Sequence, residues 1–334
     1  MGNNHPMTGD DAAVRAGVCV VIPACNAAST LAGAVRSALG DETVLQCVIV
    51  DDASDDETLE VARALAGGDP RVDLVVRDTR GGPAAARNDG LGVAQGGRIC
   101  FLDADDELCD GAISALSSAL AAHRGAVGAL GRFVAVDAGG SSVDVGRWEG
   151  DQLHGVVRRK GKLIESPNGL DPEALVTRLV SPPPGAWLLD TATVRAIGGF
   201  DTSTRRSEDL ELLVRLAGVG VLVTVERDVL RYLRHDAQRS AATAQRQWGR
   251  GMALWKMTRN ASSARTARAI SRGAAAYHLD LFATRWRAGG LANRSRALRN
   301  LTAACVARAA GPVAAALPRR TLRAVPGPGV SSVD

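Results

Sequence analysis

Four short, almost wholly apolar runs alternate with helical patterns in the first third of the chain, and this alternation constrains the fold more than any other feature. Val18–Ile22, Val44–Val50, Val72–Val76 and Ile99–Leu102 read as strands. Thr30–Leu39, Thr58–Leu65, Pro83–Ala94 and Ala112–Ala121 read as the helices that follow them. Strands with no polar face must be covered on both sides, which points to a parallel sheet fed by helical crossovers. The expected class is α/β, a doubly wound and mostly parallel sheet flanked by helices. The rhythm then changes. Val127–Val136 and the polar stretch Gly146–Glu165 read as longer strands and an insertion, and SPPPG at Ser181–Gly185 as a stiff turn before Ala186–Leu189. Leu210, Leu213, Val214 and Leu216 fall at helical spacing in Ser207–Leu216. Val221–Leu233 reads as a strand in one or two pieces.

In an open α/β sheet, ligands bind outside the carboxyl ends of the strands, so residues there are candidates for chemistry. The first strand runs into Pro23-Ala24-Cys25-Asn26, the second into Asp51-Asp52-Ala53-Ser54-Asp55-Asp56, and the fourth into Asp103-Ala104-Asp105-Asp106. Asp and Ser are ordinary turn formers, and a single acidic run would mean little. Two runs in register with the strand pattern mean more, because seven acids would repel one another unless a cation or a donor-rich ligand sat among them. Asp103 and Asp105 can hold Mg²⁺ or Mn²⁺, hard cations that take oxygen ligands and share them with substrate phosphates.

The order PACN, VDDASDDET, GGPAAARNDGL, FLDADDE, GAWLLD…GGFD and SEDLELLVRLA resembles the family 2 glycosyltransferases of the GT-A fold (Rossmann-like) over residues 17–240. The resemblance implies an inverting enzyme that takes a sugar from a nucleotide-diphosphate donor. Pro23 would begin the loop beneath the nucleotide base, with Asn26 beside it, and Asp52 would recognise the base, typically uracil. Arg87 and Asn88 would lie near the donor and its diphosphate. Asp103 would face the ribose and metal, and Asp105 would bind the metal. His235 stands where some relatives supply a third metal ligand. Asp209 would be the general base, and Glu208 would help position the acceptor. A Glu-Asp pair opening a helix is also what the macrodipole favours, with Ser207 as N-cap. Arg87 could also be a solvated helical arginine, but in this motif the functional reading is favoured. Trp187 reads either as an acceptor-stacking ring or as core. Cys25 stands where the family usually carries the aromatic residue that stacks on the base.

The formal charge of +4 conceals an asymmetry: residues 241–334 carry fifteen Arg and one Lys against two acids, a net +14 that leaves −10 for residues 1–240. The expected organisation is a disordered 1–16, a catalytic 17–240, an Ala/Arg-rich helical extension 241–325 and a disordered 326–334. Such an extension suits an anionic membrane surface, with Trp248, Trp255 and Trp286 among its arginines, or else a solvated helical face. Aromatics make up only 3% of the chain, and no nucleic-acid module appears, so nucleic acid is not an expected partner. Cys19, Cys47 and Cys100 lie within apolar runs, no zinc spacing occurs, and the polar start shows no cleavable leader. No stretch reaches the roughly 20 apolar residues of a membrane span. The expectation is a cytoplasmic enzyme, peripheral at the inner face of the membrane, in cell-envelope polysaccharide synthesis, with a growing glycan or lipid-linked acceptor. A soluble small-molecule acceptor, or a catalytically silent nucleotide-sugar-binding scaffold, are the alternatives.

Overall fold

The computed structural model describes residues 17–137, 139–143, 182–204 and 207–234, the short strands 158–159 and 162–163, and, towards the C-terminus, residues 257, 264–287, 294, 299, 302–303 and 305. The first half follows the strand–helix alternation. Strands β1 (Val18–Ala24), β2 (Val44–Asp51), β3 (Val72–Val76) and β4 (Arg98–Phe101) are followed in turn by helices α1 (Leu31–Leu39), α2 (Thr58–Gly68), α3 (Pro83–Val93) and, after the two-residue β5 (Glu107–Leu108), α4 (Ala112–Ala122). Beyond them come β6 (Ala126–Val136), the hairpin β7 (Arg158–Arg159) and β8 (Lys162–Leu163), and β9 (Trp187–Asp190). They are followed by α5 (Thr191–Ala196), α6 (Glu208–Ala217), β10 (Val221–Leu233) and α7 (Ala264–Arg287).

The eight-stranded sheet has the order β3-β2-β1-β4-β9-β6-β10-β5. Strands β1 to β4 are mutually parallel, with Val21 opposite Val48 and Phe101. The chain winds outward from β1 to β3 and then returns to place β4 on the other side of β1. The resulting topological switch point lies between β1 and β4, where such sheets bind ligands. The other half supplies the antiparallel pairings of this mostly parallel sheet: β9 is antiparallel to both β4 and β6, and β5 to the end of β10, while β6 and β10 are parallel. Strand β10 is one element whose register against β6 shifts around Asp228, a compromise between the one- and two-strand readings.

Val20, Ile22, Val48 and Ile49 are fully buried, and each such side chain contributes about 1.5–3 kcal/mol. Helix α3 lies so close to β1 that a Cβ on Gly90 would stand 2.3 Å from Val21 Cγ1. The strand stems thus form a fixed frame. That frame can hold strained backbone at its tips, where a left-handed non-glycine residue costs about 1–3 kcal/mol. Asn26 (φ 53°), Ala53 (φ 55°) and Ser207 (φ 61°) have that conformation, and each borders a candidate site segment. Helix α7 packs inward through Ala267, Ile270, Ser271, Ala274, Ala275 and His278, and Ile270 and Ala274 join the same apolar cluster as the sheet. No helix among the described residues is long and apolar enough to cross a membrane.

Candidate active site

The loops after β1, β2 and β3 are tied to one another. The Asn26 backbone N–H donates to Ser54 Oγ (3.1 Å), and the Asn26 carboxamide oxygen accepts from the Asp55 N–H (2.9 Å). Ala27 N–H donates to Thr58 Oγ1 (2.7 Å). Asp52, 2% exposed, accepts from the N–H groups of Gly81 (2.8 Å) and Gly82 (2.7 Å) and pairs with Arg77 Nε (2.9 Å). Arg77 also pairs with Asp89. Asp55 pairs with Arg80, and Asp56 accepts from Thr58 and Ala28. Asp52, Asp55 and Asp56 thus need neither the cation nor the donor-rich ligand expected among the acids, because the fold supplies each of these three with its own donors. Pro23 lies inside β1 rather than in the loop, and the loop opens at Cys25. Its missing N–H breaks no ladder bond: Val21 O faces β4 and Ala24 O faces β2, which puts Pro23 on the side where β4 has already ended.

The centre of the site is Arg87 on α3. Its side chain is 4% exposed, and its Nη2 donates to Asp103 Oδ1 at 2.5 Å while Nη1 reaches Glu208 Oε1 at 3.3 Å. Although burial alone would lower it, Asp103 and then Glu208 hold the guanidinium above its ordinary pKa. The ring of Phe200 lies beneath it, 5.2 Å from the guanidinium carbon, and Phe200 meets Phe101 edge-on at 4.9 Å. Burial, then the charge of Asp209, raises the Glu208 carboxyl, and Arg87 opposes that rise. Asp209 follows on the first turn of α6, half-buried. No hydrogen bond or ion pair among the described residues claims its carboxylate.

Asn88 clamps this arrangement: its amide donates to Phe200 O and its oxygen accepts from Phe200 N–H, both at 2.8 Å. Contact of Asn88 with a donor would have to share or break that clamp. Gly199 must remain glycine, since it has φ 64° and a Cβ there would stand 2.4 Å from Asn88 Oδ1. Arg215 fastens α6 to the same turn through Ile197 O (2.7 Å) and Gly199 O (2.6 Å), while also bonding Glu211. Phe200, Arg215 and Asp106 have no role assigned from the sequence, although each lies in a motif quoted there: GGFD, SEDLELLVRLA and FLDADDE.

Asp103 and Asp105 are half-buried beside one another in the loop after β4. Asp106 is 1% exposed, and its Oδ1 accepts from the Leu233 N–H at 3.1 Å. Among the described residues its Oδ2 has no hydrogen-bond partner. Burial, then the charges of Asp103 and Asp105, push its carboxyl well above the usual range. Two accessible carboxylates backed by an unpartnered buried oxygen fit a hard divalent cation. No group of three metal-ligating side chains occurs among the described residues, so donor phosphates or other residues would complete the shell. His235 lies outside the described residues.

One further expectation is corrected, and of the two readings of Trp187 the core one holds. Ser207 occupies the N-cap position of α6 with left-handed backbone and makes no side-chain cap, so Glu208 and Asp209 do not rest on a conventional cap. Trp187 is 1% exposed, a core residue at the start of β9 that cannot meet an acceptor.

The sheet order with its flanking helices is that of the GT-A fold. Residues 19–160 match the model of glycosyl transferase family 2, so the chain carries a family 2 glycosyltransferase domain. The succinoglycan biosynthesis protein ExoU of Rhizobium meliloti is 41% identical over 107 residues, which are 32% of this chain and 31% of that protein. The match thus spans about a third of that relative's length. Among solved structures, S. aureus TarS 1–349 in complex with UDP-GlcNAc superposes with a TM-score of 0.62 at 15% identity, over 90% of this chain and 89% of that one. The mannosyltransferase PcManGT from Pyrobaculum calidifontis, in complex with GDP-Man and Mn²⁺, gives 0.53 at 16% identity over 89% and 86%.

Proposed function

We propose that this chain is an inverting glycosyltransferase that moves a sugar from a nucleoside-diphosphate sugar, with UDP-sugars the first candidates, to a hydroxyl on a growing glycan or lipid-linked acceptor. One observation carries the reading. Arg87 joins the loop bearing Asp103 to the first turn of α6 through one buried guanidinium, across 121 residues of sequence between Arg87 and Glu208. With Glu208 engaged by Arg87, Asp209 is the carboxylate left to take the proton of an acceptor hydroxyl. As the base takes its proton, the acceptor oxygen bonds to the anomeric carbon from the face opposite the departing nucleoside diphosphate, and this single direct displacement gives inversion. Glu208 holds α6 in register with the donor loop, and Arg87 keeps Asp103 oriented. Asp103 and Asp105 would hold a divalent cation, which when bound offsets charge on the leaving diphosphate.

The likeness to complexes with UDP-GlcNAc and with GDP-Man and Mn²⁺ supports a nucleotide-sugar donor and a metal. The relative named for succinoglycan biosynthesis supports a polysaccharide acceptor. For the basic extension, exposed Leu279 and Trp286 on α7 alongside exposed Arg268, Arg272 and Arg287 support contact with an anionic membrane surface. The test of the donor reading is a thermal-shift panel of nucleotide sugars with and without Mn²⁺, since a ligand that binds only the folded state raises its melting temperature. At least one donor should raise it, and more so with Mn²⁺. A flat panel would overturn the reading.

A further inference from the structure

We propose that the guanidinium plane of Arg80 is the surface against which the donor's nucleobase stacks, making Arg80 a specificity-determining residue of the site. The inference rests on the nucleoside-diphosphate reading above. Residues 1–100 contain no Phe, Tyr or Trp. The loops after β1, β2 and β3 can therefore offer a flat ligand no aromatic ring, and half-buried Cys25 at the end of β1 is too small to provide a plane. Bases also stack on arginine guanidinium planes.

Arg80 is suited to this role by how it is held. Its Nη2 donates to Ala53 O at 2.9 Å and to Asp55 Oδ2 at 2.7 Å, so the plane is fixed from the β2 side. Its side chain remains 44% exposed, so part of its surface stays open to a ligand. Asp55 is itself anchored through Asn26, and Ala53 sits in left-handed backbone, so the plane's supports belong to the tied loops described above. The next residue, Gly81, is bonded to Asp52, which ties the segment bearing Arg80 to the tip of β2. The hydrogen bond to Asp55 holds the Arg80 guanidinium above its ordinary pKa, so it stays charged. As an exposed ion pair, Arg80–Asp55 contributes little to stability, so its loss should leave the fold intact.

The experiment is calorimetric titration of whichever of UDP, GDP and CDP binds the wild-type chain most tightly, alongside the base-free ribose 5-diphosphate. Titrations are repeated with Arg80→Ala and Arg80→Lys. Stacking losses on this scale weaken nucleotide binding by about tenfold or more. Both variants should show that loss for the nucleotide and no change for ribose 5-diphosphate, because lysine keeps the charge but has no plane. Equal losses on both ligands, full affinity in Arg80→Lys, or an unaffected Arg80→Ala would overturn the proposal while leaving the donor reading standing. A wild-type chain that binds none of the three nucleotides would overturn the donor reading itself.

Discussion

Arg87 Nη2 and Asp103 Oδ1 meet at 2.5 Å, on a guanidinium that the protein buries almost completely. A buried charge is tolerated only while it is paired, and removing one partner of such a pair costs about 3–5 kcal/mol because the other is stranded. Arg87→Met should therefore lower unfolding stability by about that amount, measured by urea denaturation. Adding Glu208→Gln should recover part of the loss, since one stranded carboxylate is then neutral. A loss below about 1 kcal/mol in Arg87→Met would mean the carboxylates find other compensation.

Asp105→Ala removes one of the carboxylates grouped in the loop after β4. It should abolish the Mn²⁺-dependent part of donor stabilisation. Undiminished Mn²⁺ dependence by thermal shift would remove Asp105 from the metal site.

Asp41 gives a pH signature far from the site. Burial would raise its carboxyl, but hydrogen bonds from Thr43 and Ser114, through side chains and backbone, outweigh burial and hold it below its usual value. A depressed carboxylate contributes stability above its unfolded pKa of about 3.9, and that stability is lost as pH falls through the folded value. Asp41→Ala should accordingly melt below wild type at pH 7, with the gap closing towards pH 3. A gap that persists unchanged in acid would show that the loss is packing rather than charge.

Much of this was legible in the sequence, and the reasons are local. A strand buried on both faces must be apolar throughout, so β1 to β4 stood out, and with them the acids at their tips. The β2 acids were misread because partners such as Gly81 and Arg77 for Asp52 come from the loop after β3, which local pattern does not reveal. For the same reason the Arg87–Glu208 contact and the Asn88–Phe200 clamp, 121 and 112 residues apart in sequence, left no signature beyond the separate motifs. The antiparallel β9 between β4 and β6 was hidden because its three apolar residues, Trp187 to Leu189, read alike in either direction.

The basic extension should draw the full chain to anionic vesicles. Each Lys or Arg near such a surface contributes about 1 kcal/mol, so partial engagement of the sixteen cations in residues 241–334 suffices. Co-sedimentation with phosphatidylserine vesicles should be strong at low salt and weaken at high salt, as screened attraction must. Full-length protein that stays in the supernatant at low salt would leave α7 and its neighbours a packing role only.

The central claim is that Asp209 takes the acceptor's proton within a donor site assembled by Arg87, Asp103 and Asp105. Its most direct measurement compares wild type with Asp209→Asn in two assays, donor affinity by calorimetry and sugar transfer with the donor that the thermal-shift panel selects. Affinity should be unchanged while turnover falls by about 10²–10⁴-fold, the usual scale for loss of general-base help. Turnover within a few-fold of wild type, at equal affinity, would contradict it.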